Sequence, residues 1–83
     1  MRFTQYFLHT HERPDRRGIE ISWIERVVAE PVRELVQADG RIRRWGRIAE
    51  AGGKCLRVVL LEDGETVHNA FFDRRFQELE DEG

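Results

Sequence analysis

The chain has 83 residues, 40% of them hydrophobic and 36% charged, which is enough apolar surface for one core and too little to divide between two domains. Its aromatic and β-branched content separates it from disordered chains, and its single cysteine, Cys55, excludes an internal disulfide and argues for a reducing compartment such as the cytoplasm. The net charge of −2 hides a tilt: Glu78, Glu80, Asp81 and Glu82 lie together at the end, and without them 14 basic side chains face 12 acidic ones, a balance too mild to identify a partner.

In chain order, residues 2–8 combine Phe3, Tyr6, Phe7 and Leu8 with Thr4, a β-prone mixture that predicts a first strand. This start has no apolar core or small-residue cleavage site of a signal peptide, so secretion is not expected, and no run has the length of about 20 apolar residues that a membrane span needs. Thr10 offers an N-cap for a short helix over 11–17, and Gly18 breaks it. A second helix follows, in which Ile21, Ile24 and Val28 recur at i, i+3 and i+7 while Trp23 and Val27 stand four apart. Ser22 and Glu25 have capping-box spacing, Glu20 is the alternative cap, and Pro31 supplies the stop.

Beyond Pro31 the pattern is a meander of strands at 32–37, 41–49, 54–61 and 66–72. Each break contains glycine, and Asp39-Gly40 and Asp63-Gly64 suit tight hairpin turns, so consecutive strands should pair antiparallel. The alternating Leu56, Val58 and Leu60 are the natural counterpart of Ile24 and Val28. The expected organisation is one domain over 1–77 and an acidic flexible tail over 78–83.

Three groups of residues could carry chemistry. On a helix, His9, Arg13 and Arg17 would form a stripe at i, i+4 and i+8, combining a proton-shuttling imidazole with bidentate phosphate donors; alternatively these side chains cap the sheet, with the guanidinium groups paired to Glu12, Asp15 or backbone carbonyls. On the strand at 41–49, alternation sets Arg41, Arg43, Trp45 and Arg47 on one face and Ile42, Arg44, Gly46 and Ile48 on the other. Cations beside an indole suit a nucleic-acid surface, unless Trp45 is core and the arginine stems pack around it. His68-Asn69, with Asp73, Arg74 and Arg75 beyond, is a third and weaker candidate for acid–base work. The glycines form neither a P-loop nor G-x-G-x-x-G, and His9, His11, His68 and Cys55 lack the paired spacing of a zinc site. No cofactor or metal is therefore expected.

The series His9-x3-Arg13-x3-Arg17-Gly18-Ile19, the helix with Ile24, Val27 and Val28, and Pro31 resembles the opening of an uncharacterised bacterial domain family grouped with the RelE/ParE and BrnT-like toxins. The likeness continues through Gly53, Leu56-Arg57-Val58-Val59 and the closing strand, roughly residues 3–76. It implies an α+β fold of order β-α-α-β-β-β-β, with N-terminal helices packed on one face of a curved antiparallel sheet. It also implies RNA or the ribosome as the target, a small antitoxin protein as partner, Arg13, Arg17, Arg43 and Arg47 at phosphates, and His9 or His68 as acid or base. The rival expectation is an interaction module without catalysis.

Overall fold

A computed structural model describes residues 1–75; the expected tail at 78–83, and the domain boundary at 77, lie outside the described residues. The elements follow the expected order: β1 (Arg2–Phe3), α1 (Gln5–Thr10), α2 (Ile21–Ala29), β2 (Arg33–Val36), β3 (Ile42–Ile48), a 3-10 turn (Ala49–Ala51), β4 (Lys54–Leu60) and β5 (Thr66–Phe72). The fold is α+β, with both helices ahead of the meander.

Two local expectations are corrected at the N-terminus. The first strand does not extend over 2–8 but stops at Phe3, because Thr4 turns the chain into α1. Thr4 is extended and its Oγ1 accepts the Phe7 N–H at 3.0 Å, the bond of a helix N-cap. Phe7 and Thr10, one turn apart, then both face the interior, and Thr10 Oγ1 donates to the carbonyls of Tyr6 and Phe7. Nor is there a helix at 11–17. That stretch is a series of tight turns, with Arg13 N–H bonded to Thr10 O, Arg16 N–H to Arg13 O and Ile19 N–H to Arg16 O. Pro14 has no N–H to contribute to a helical ladder. The stripe of His9, Arg13 and Arg17 therefore does not form.

α2 lies where its periodicity places it. Its N-cap is Glu20, which makes no side-chain capping bond, and Ser22 is already inside the helix, so the Ser22–Glu25 capping box is not used. Trp23, Ile24 and Val27 are buried, Val28 packs at the margin of the core, and Ile21 is exposed.

The sheet runs β1-β5-β4-β3-β2. β2 to β5 form the expected antiparallel meander, whereas β1 lies parallel to β5, with Arg2 opposite Thr66, so the sheet is mixed rather than wholly antiparallel. Gly40 and Gly64 take positive φ angles of 91° and 70° in the two Asp-Gly turns. The Asp63 carboxylate braces the second turn by accepting the Thr66 hydroxyl and the Glu65 and Thr66 amides, bonds that hold its pKa down at about 2.

One core joins Phe7, Ile19 and the buried face of α2 to Leu56, Val58, Leu60, Val67 and Ala70, the inward positions of β4 and β5. On β3 the inward positions are Ile42, Arg44, Gly46 and Ile48. Gly46 lets α2 approach: a Cβ there would stand 2.9 Å from Val27 Cγ2. Arg44 is charged yet suited to this side, since it pairs with Glu34 at 2.6 Å and donates to the Val28 carbonyl at the C-terminal end of α2. No helix among the described residues is long and apolar enough to cross a membrane.

Candidate functional site

With α1 and α2 committed to the inward side, the opposite face of the sheet is built from alternate residues of each strand. The register places Arg33 and Leu35 of β2 beside Trp45 and Arg43 of β3, then Arg57 and Val59 of β4, then Phe71 and Asn69 of β5; Arg47 lies opposite Cys55. These strand positions carry arginines and no acid. The predicted alternation on β3 holds, so Arg43, Trp45 and Arg47 share this face and Arg41 precedes them at its margin.

The centre of the face is a stack of cations and rings. Arg57 lies with its guanidinium carbon 5.1 Å from the Phe71 ring centre and 5.8 Å from that of Trp45, and Arg16 also approaches Phe71, at 5.3 Å. Arg16 is held there by Asn69 Oδ1 at 2.8 Å and the Ala70 carbonyl at 3.3 Å. Trp45 Nε1 donates to Asp73 Oδ2 at 3.1 Å, and Arg57 pairs with the same carboxylate at 3.5 Å. Asp73 is fixed in turn by its own amide, which donates to the Cys55 carbonyl. Trp45 is only 6% exposed and packs with Cys55, so the indole is a buried anchor of this face and Phe71 is its more accessible ring.

Arg57 is the least comfortable cation. Burial, then the charge of Arg43, lowers its pKa against the opposing pull of Asp73, and its Nε is buried without a hydrogen-bond partner among the described residues. Arg43 Nε donates to Gln37 Oε1 at 2.6 Å, Arg47 donates to the Gly53 carbonyl, and Arg41 sits near Asp39 at 3.9 Å. An anion arriving on this side would therefore meet guanidinium groups already oriented by neutral or single acidic partners.

The histidines are separated. A register shift between β4 and β5 pairs Val59 with Asn69 but Leu60 with Val67, leaving His68 as the extra residue of a bulge. His68 and Asn69 thus lie between the inward-facing Val67 and Ala70. The His68 ring stacks on Tyr6 at 4.7 Å and its Nδ1 is 3.1 Å from Thr4 Oγ1. Burial, and secondarily the charge of Arg41, lowers its pKa, so the neutral ring is the favoured form. His9 is exposed on α1, and its side chain joins no hydrogen bond or ring contact among the described residues. Arg13 and Arg17 are likewise exposed in the turn segment, while their neighbour Arg16 reaches the sheet.

Alternation along the sequence reveals the arginines of β3, but it does not by itself mark Arg16, Arg57 or Phe71. Arg57 and Phe71 have a usable signal, because each falls in phase with Arg43 and Trp45 once the hairpins are registered through their Asp-Gly turns. Arg16 has none, since it depends on the path of an irregular segment. No cluster of acidic, histidine and cysteine side chains fit to hold a metal occurs among the described residues. No protein-family model matches this chain, and no curated protein or solved structure matches it either.

Proposed function

We propose that this chain is a cytoplasmic RNA-binding domain of the RelE/BrnT toxin type, which takes a single strand across the arginine face of its sheet and is held in check by a small antitoxin protein. One observation carries this reading: the sheet face opposite α1 and α2 brings Arg16 and Arg57 against Phe71 and sets Arg43 and Arg47 on the same side, with Asp73, just beyond β5, as the acid that meets Arg57. Guanidinium groups supply phosphate contacts, and the half-buried Phe71 is the ring on which a base would stack by displacing one of its arginines. His68 is the better situated of the two acid–base candidates, being next to Asn69 at the bulge and neutral near physiological pH. His9 has no comparable support.

The test is binding of a labelled single-stranded RNA by fluorescence anisotropy across a salt series. Affinity should fall by about 0.7 log unit per log unit of salt for each phosphate contact. Arg43→Ala should weaken binding and flatten that slope, whereas Arg26→Ala, on the helix side and paired with Glu50, should do neither. Salt-independent affinity, or equal losses in the two variants, would remove the face from consideration. For cleavage, the corresponding readout is growth arrest on expression, relieved by Arg43→Ala and by His68→Ala; relief by Arg43→Ala alone would leave a binder without histidine catalysis.

A further inference from the structure

The two edges of the sheet are protected very differently. β1 is two residues long and is followed at once by α1, which packs against β5. β2 is exposed along its whole length, and Val32, Leu35 and Val36 are 56%, 46% and 60% exposed. Its register with β3 is uninterrupted and no proline lies between Arg33 and Val36; what opposes edge pairing is its four-residue length and two charges, of which Glu34 is already paired with Arg44. The direction of its backbone groups follows from the ladder. Gln37 N–H donates to Arg41 O, and in an antiparallel pair such bonded positions alternate, so the odd residues of β2 bond to β3 while Glu34 and Val36 point their N–H and C=O groups outward.

We infer that β2 is the dimerisation edge of this protein, pairing antiparallel with β2 of a second copy about a two-fold axis through Leu35. A dyad at Arg33 or Glu34 sets like charges directly opposite each other, which is unfavourable. A dyad at Val36 pairs only residues 35–37. With the axis at Leu35, Glu34 and Val36 of one copy meet Val36 and Glu34 of the other, and each such pair exchanges both backbone hydrogen bonds. The two leucines then occupy the closely spaced, non-bonded position on the axis. Arg33 meets the partner's Gln37, while Glu34 keeps its ion pair with Arg44 of its own chain. A second copy fits this edge because the outward-bonding positions lie symmetrically about an apolar residue, so one strand supplies both halves of the match. Since residues paired across an antiparallel ladder share a face, the arginine faces of the two copies lie on the same side of one continuous sheet.

The pairing makes a register-specific demand. Residues at a non-bonded antiparallel position have Cα atoms about 4.5 Å apart, inside the roughly 4.4–6.8 Å that a disulfide accepts. In the full chain, where the native Cys55 is buried, Leu35→Cys should therefore oxidise to a covalent dimer, and Glu34→Cys and Val36→Cys should not. Sedimentation equilibrium of the unmodified chain should show a concentration-dependent doubling of mass. That doubling should be lost in Leu35→Lys and in Val36→Pro, whose missing N–H is one that points outward, and circular dichroism melts should confirm that both variants remain folded. The inference is overturned by a chain that stays monomeric to its highest soluble concentration, by a dimer that survives Leu35→Lys, or by cross-linking through position 34 or 36 in preference to 35.

Discussion

His68 joins three parts of the molecule through one ring. It is the extra residue of the β5 bulge, it stacks on Tyr6 of α1, and its Nδ1 meets Thr4, whose oxygen caps the same helix. Because that oxygen already accepts the Phe7 amide, its own proton is available to the neutral imidazole, an arrangement that protonation of Nδ1 would disturb. Burial and the nearby Arg41 charge lower the His68 pKa from the ordinary 6.5. The unfolded chain therefore takes up a proton at a higher pH than the folded one. The resulting stabilisation is complete above pH 6.5, declines as the pH falls through the interval down to the folded-state value, and changes no further below it. Thermal melts on either side of pH 6.5 should show a larger drop for the native chain than for His68→Gln. Equal drops would dissociate His68 from the acid sensitivity of the fold. Arg57 illustrates the opposite limit, a guanidinium kept partly buried by two rings and one carboxylate, whose Nε remains unsatisfied among the described residues. Neither environment is visible from residue type. Residue type marks His68-Asn69 only as a weak acid–base candidate in the last strand, and it gives Arg57 no distinction.

Among the elements, the contact between α2 and β3 is the tightest constraint. Val27 rests on Gly46 so closely that a methyl group at position 46 would stand 2.9 Å from Val27 Cγ2 and 3.7 Å from its Cα, so the side chain or the helix must shift. Gly46→Ala should destabilise the domain by about 1–3 kcal/mol, the range for overpacking a filled core. The double variant Gly46→Ala/Val27→Ala should recover part of that loss in a urea titration, and no recovery would mean that strain in β3 itself is responsible. The elements also divide by how well local sequence announced them. α2 and the strands β2 to β5 were legible, since helical periodicity, glycine punctuation and alternation all agree over long stretches. α1 was not, because Phe3, Tyr6, Phe7 and Leu8 have strand-like composition, and the decisive feature is one Thr4 hydroxyl acting as a cap. The expected helix at 11–17 gives way to turns for the converse reason: Thr10 has the chemistry of a cap but spends its hydroxyl on the carbonyls behind it. The parallel placement of β1 was beyond any local signal, since it is a property of how the two ends of the chain meet.

At the level of the whole molecule, both helices and the inward faces of β3, β4 and β5 share one cluster of buried side chains, with Ile24, Leu56, Val58 and Leu60 fully enclosed. Ile24→Ala should cost about 2–5 kcal/mol, and Ile24→Asp, which buries an unpaired carboxylate, should abolish the cooperative melt. A folded Ile24→Asp protein would mean that α2 is not bound to the sheet through this side chain. The arginine face was legible only in part for a matching reason. Alternation along β3 reveals which side chains share a side, but the gathering of Arg16, Arg57 and Phe71 needs the register of four strands and the path of the turn segment together. The pairing of β1 with β5 bears on the order in which the molecule is assembled. Thr4 and His68 meet across 64 positions, so during synthesis, at roughly 5–20 residues per second, the central hairpins emerge and can close while the first strand and α1 still lack their seat. Phe3 and Phe7 therefore reach their places in the sheet and core only once β5 is present to receive β1 and α1.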